Sequence, residues 1–169
     1  MLHYADLQTK AETAFRDLLL PAVTDGSPCW SDLKGNPVLV QRGVEDSTVT
    51  VPCVICFSDR SAEAVYGTQV LRVNVNIQIL SFIREGAEIH RQRVSAIEHR
   101  ILSFDPDHLV TGEYRALAAA LCNHPNRFHC SFVIPGESTA GISDNETWVF
   151  NRQYEVICEW VNLGTSSSE

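Results

Sequence analysis

The chain has 169 residues, 44% hydrophobic and 8% aromatic, enough to bury one core without a disulfide or metal staple. No apolar run approaches the roughly 18 residues that span a bilayer, and the start Met1-Leu2-His3-Tyr4-Ala5-Asp6 lacks the basic region of a signal peptide. The formal charge of -8 opposes a grip on a phosphate backbone, which Lys and Arg supply, but not a surface past which nucleic acid slides.

Residues 3 to 20 carry Tyr4, Leu7, Ala11, Ala14, Phe15, Leu18 and Leu19 at three-four spacing, which predicts a helix ended by Pro21. Residues 24 to 28 are turn chemistry. A short strand is expected at about 37 to 43, and another over the apolar run at 50 to 57. Residues 58 to 68 read as a loop. The clearest strand is 69 to 83. There Leu71, Val73, Val75, Ile77 and Ile79 face one way, and Arg72, Asn74, Asn76 and Gln78 face the other. Residues 86 to 103 switch to a helical period, with Val94, Ile97, Ile101 and Phe104 as the stripe and Asp105-Pro106-Asp107 as the stop. A further helix is predicted over 113 to 122. Strands over 127 to 134 and 147 to 162 close the chain, with Pro135 to Asn145 between them as a flexible hairpin tip. These elements predict an α+β fold: a mostly antiparallel sheet of four to five strands with two to three helices on one face. Residues 1–163 form a single domain in this reading, and 164–169 a flexible tail.

Motifs for chemistry are sparse. Cys53-x-x-Cys56 lies inside an apolar strand, not at the helix N-terminus that activates a redox pair. The six cysteines therefore read as reduced, buried small hydrophobes. Cys53, Cys56, His124, His129 and Cys130 lack the second tight pair of a zinc site. No G-x-S-x-G elbow, G-x-G-x-x-G or P-loop occurs. The expectation is a chain with no catalytic residues, no metal and no cofactor.

Charge is segregated. Glu137, Asp144, Glu146, Glu155, Glu159 and Glu169 face only Arg152 beyond residue 136, while the 90 to 100 helix carries Arg91, Arg93 and Arg100 against Glu98. Eleven of the thirteen cations are Arg, which suits bidentate pairing at interfaces. A head-to-tail ring brings such acidic and basic regions together.

The order of elements is that of a helix with Ala5-Asp6-Leu7, Phe15 and Leu18, the strand Val51-Pro52-Cys53-Val54-Ile55, and the long strand Leu71 to Ile79. The helix around Arg93-Val94-Ser95-Ala96-Ile97-Glu98 follows, then a hairpin ending Tyr154-Glu155-Val156-Ile157-Cys158-Glu159-Trp160. Over residues 3 to 163 this resembles the tail terminator (tail completion) proteins of long-tailed bacteriophages. The resemblance implies a homohexameric ring at the head-proximal end of the tail tube, made in the host cytoplasm and carried in the virion. Such a ring stops tube polymerisation, contacts the tail tube protein and a neck or head-completion protein, and lets DNA pass without sequence-specific binding or any membrane. Arg91, Arg93 and Arg100 are expected to face Glu155 and Glu159 of a neighbouring subunit, and Arg72, Asn74, Asn76 and Gln78 to meet a partner or a covering layer. The 58 to 68 and 135 to 147 segments are candidates for axial docking. A head-tail connector or stopper is the alternative, and a small metal- or thiol-dependent enzyme the remoter one.

Overall fold

Six strands form one mixed sheet in the computed structural model, which describes residues 4–24, 30–43, 49–58, 63–64, 70–102 and 128–160. Helix α1 (Tyr4–Thr24) comes first, followed by strands β1 (Leu39–Arg42), β2 (Cys53–Phe57), β3 (Glu63–Ala64) and β4 (Val70–Phe82). A short 3-10 turn at Ile83–Glu85 leads into helix α2 (Ala87–Leu102), and strands β5 (Phe128–Ser143) and β6 (Thr147–Trp160) complete the order. The strands lie side by side as β1-β2-β4-β6-β5, with β3 also on β4. The β1–β2 pair is parallel and every other pair antiparallel. The α+β class and mostly antiparallel sheet agree with the sequence reading.

The alternation in β4 sets the layers. Leu71, Val73, Val75, Ile77 and Ile79 are all buried and share a core with Leu7, Ala11, Phe15 and Leu19 of α1 and Ile97 and Ile101 of α2. Tyr154 of β6 belongs to the same face; its ring lies 5.7 Å from that of Phe15. Arg152, two residues earlier, meets Glu98 of α2, so both helices cover one face of the sheet. In β2 Cys53, Val54, Ile55 and Cys56 are all buried, so this strand is covered on both faces. Cys53, Cys56 and Cys158 are buried and form no disulfide. Burial pushes the Cys53 thiol up to about 12 and raises that of Cys56 further, as befits inert hydrophobes.

Three boundaries differ from the sequence reading. Helix α1 continues through Pro21 to Thr24. Proline removes one N–H and crowds the carbonyl four residues back, a cost the last turn bears because Phe15, Leu18 and Leu19 anchor the helix in the core. The segment expected as a loop at 58 to 68 contributes β3, opposite Arg72 and Leu71. The largest difference is the hairpin. Most of the supposed tip is strand: β5 runs to Ser143, and the turn is only Asp144-Asn145-Glu146. Register shifts between Cys130 and Phe132 and between Pro135 and Ser138 absorb the proline and glycine that resemble loop chemistry. The predicted turn at 25 to 28, Phe104 to Asp107, the helix at 113 to 122 and the tail at 164–169 lie outside the described residues.

Candidate assembly surfaces

Arg93 corrects the expected interface. Its side chain is 0% exposed, because position 93 sits one and two helical repeats before Ile97 and Ile101 on the buried stripe of α2. Glu85 receives it bidentately: Nη2 donates to Oε1 at 2.8 Å and Nη1 to Oε2 at 2.9 Å. Nη1 also donates to Ser81 Oγ at 2.9 Å and Nη2 to the Ser31 carbonyl at 3.0 Å. The Phe82 N–H donates to the same carboxylate at 2.9 Å. This network pins the end of β4, the 3-10 turn, α2 and the segment before β1 to one another. It leaves Arg93 no surface for a neighbouring subunit. His90 Nδ1 lies 3.0 Å from Ser81 Oγ, and the ring stacks on Trp148 at 6.1 Å. Burial, then the Arg93 charge, lowers its pKa against an opposing push from Glu85.

The other predicted residues are scattered. Arg91 is exposed and pairs with Glu88 at 3.6 Å. Arg100 Nε donates to the Leu18 carbonyl at 3.2 Å, tying α2 to α1. Glu155 meets Arg72 of its own chain at 3.4 Å, and Glu159 sits on β6 opposite Val70 and His129 in register. The face opposite the helices is a polar ladder, with Asn74 opposite Glu155, Asn76 opposite Gln153 and Gln78 opposite Asn151. Arg72 is exposed on it and Asn76 buried. The Asn76 amide nitrogen and the Asn151 amide oxygen are buried and have no hydrogen-bond partner among the described residues.

Among the described residues the most open feature is β5. All nine residues from Ile134 to Ile142 are exposed, although the strand pairs with β6 along this length. It overhangs the helical layer, leaving an open groove of about 490 Å3 between α2 and the hairpin, lined by His90, Val94, Glu98, His99, Ala140 and Phe150. The turn fixes the overhang: the Glu146 N–H donates to the Ser143 carbonyl at 3.1 Å, and the Ile83 N–H to the Glu146 carbonyl at 3.0 Å. Composition concealed this strand. The usable signal is the β-prone run at 147–150 preceded by a three-residue turn that includes Asn145, with Thr139 and Ile142 on the other side.

Among the described residues no three His, Cys, Asp or Glu side chains are grouped to hold a metal ion, and no helix is long and apolar enough to cross a membrane. The arrangement offers association: an open strand, a groove beside it and a hairpin presenting both. Compared with known proteins, the sequence matches no family model and no curated protein.

Proposed function

We propose that the chain is a structural subunit that assembles with copies of itself into a ring, acting as a tail terminator at the head-proximal end of a bacteriophage tail tube. The observation that carries the ring is the exposed strand Ile134–Ile142, displayed on a hairpin whose turn is hydrogen-bonded to Ile83. Open strand edges are normally shielded, and those left open serve as pairing sites. The order of elements supports the place in the tail. The formal charge of -8 per subunit supports passage of DNA through a lumen, because a negative wall does not retain a phosphate backbone. In this reading the chain has no catalytic step, and its work lies in its contacts with the tube protein below and a neck protein above.

Electron microscopy of tails assembled with a labelled chain tests the reading. Label at the head-proximal end of the tube, with overlong tubes when the chain is withheld, is the expected result. Label within the neck assigns a connector or stopper instead, and absence from the particle removes the reading.

A further inference from the structure

We infer that the open edge of β5 is a joint for the β1 edge of a second copy, so that one sheet continues from molecule to molecule. This specifies the contact within the proposed ring and rests on that reading only for closure. The joint itself stands on where the sheet ends, where apolar surface is exposed, and how charge is distributed.

Among the described strands, β1 and β5 close the two sides of the sheet. Native edge strands are usually blunted by proline, bulges or charge. In β5 these devices stop early: Pro135 and the register shift that ends at Ser138 lie at one end. From Ser138 to Ser143 the strand is free of bulges, proline and charge. Its outward amides and carbonyls suit a further strand.

The exposed large apolar side chains among the described residues are Leu20, Leu33, Leu39, Ile134 and Ile142. Four of these five belong to the two ends of the sheet: Leu33 in the turn leading to β1, Leu39 in β1, and Ile134 and Ile142 in β5. End-to-end joining brings these groups towards one another.

Charge weighs against pairing β5 with a second β5. Residues 137–146 hold Glu137, Asp144 and Glu146 with no base, formally -3. Residues 30–43 hold Lys34 and Arg42 against Asp32, and Arg42 also lies 3.9 Å from Glu12 of α1, so this end of the sheet lacks the acidic excess of the hairpin. Two β5 strands paired antiparallel about the centre of their uncharged stretch set Glu137 opposite Asp144 twice, a like-charge contact that destabilises a ladder. Pairing β5 with β1 avoids that contact. Such a joint is heterologous: each copy added leaves one free β1 and one free β5, so it repeats until a ring closes.

Two variants of the full chain test the joint. Ile142 is 57% exposed and Leu39 45%, so Ile142→Lys and Leu39→Lys place charge on an edge without entering the core, and thermal unfolding by circular dichroism should match wild type. In sedimentation velocity wild type should run as an oligomer and each variant as a monomer. An equimolar mixture should form dimers and nothing larger, because the intact β1 edge of I142K meets the intact β5 edge of L39K while the other two ends are blocked. Oligomers of L39K alongside monomers of I142K mean β5 pairs with β5, and overturn the proposal. Wild-type mass in both variants puts the contact elsewhere, overturning the joint but not the ring. A wild-type monomer throughout the micromolar range overturns it outright. A joint that behaves as expected in a chain absent from tails stands on its own and removes only the tail reading.

Discussion

A guanidinium with no exposed surface persists in a core only where its charge and donors are met, and Arg93 has Glu85, Ser81 and the Ser31 carbonyl for this. Arg93→Ala leaves the Glu85 carboxylate, 3% exposed, without a counter-charge. Breaking a buried pair in this way costs about 3–5 kcal/mol, a large share of a domain's ~5–15 kcal/mol. The urea midpoint should fall accordingly with the slope unchanged. Arg91→Ala, at a side chain 75% exposed, should change stability by less than about 0.5 kcal/mol; equal losses at both positions would show that the Arg93 network pins nothing. His90 adds a pH dependence. Its folded pKa is lowered by burial and by Arg93, whereas an unfolded imidazole titrates near about 6.5. Below that value the unfolded state binds more protons, so the contribution of His90 is complete above about pH 6.5 and lost as pH falls towards the folded pKa. His90→Gln should therefore lose less Tm than wild type between about pH 7.5 and about pH 5.5, and an identical loss would assign the effect to other groups. The place of Arg93 was legible, since 93, 97 and 101 share one stripe of α2. Its charge argued for the surface instead, because sequence spacing does not show that Glu85 waits at the end of the 3-10 turn.

At the level of elements, legibility followed periodicity. Val73, Val75 and Ile77 alternate with polar residues whatever surrounds them, and α2 keeps its stripe, so β4 and α2 were readable to within a few residues. The hairpin was not, because its strand identity comes from pairing. Pro135, Gly136, Ser138 and Gly141 carry loop propensity, and β6 overrides it by supplying a thirteen-residue partner to β4 on one side and a template for β5 on the other. The turn that joins them holds a correctable strain. Glu146 has φ 53°, a left-handed conformation that costs an ordinary L-residue about 1–2 kcal/mol and that Asn tolerates better. Glu146→Asn should raise stability by about 0.5–1 kcal/mol, read as an increase in Tm, because the exposed side chain gives up no buried contact. A lower Tm would mean that the turn is not strained at this residue.

For the whole molecule the question is whether copies charged at -8 attract or repel when the proposed joint forms. A 169-residue domain has a radius of gyration of about 15 Å, so neighbouring centres lie about 40 Å apart. At about 0.01 M salt, with a screening length near 30 Å, two such charges repel by about 2 kcal/mol in water. The acidic hairpin and the formally +1 segment 30–43, at about 10 Å, attract by at most about 1 kcal/mol, because Glu12 already faces Arg42. At about 0.15 M salt the screening length is about 8 Å. The long-range repulsion then vanishes, while roughly a third of the short-range attraction remains. Repulsion wins at low salt and attraction at moderate salt, so association should tighten roughly fivefold to tenfold between the two conditions. This runs opposite to the behaviour of a simple ion-paired interface. Sedimentation equilibrium across that range measures it directly. Association that weakens steadily from the lowest salt upward would mean that opposite charges lie closer at the contact than the β1 and β5 edges allow, and the joint would have to be sought elsewhere on the molecule.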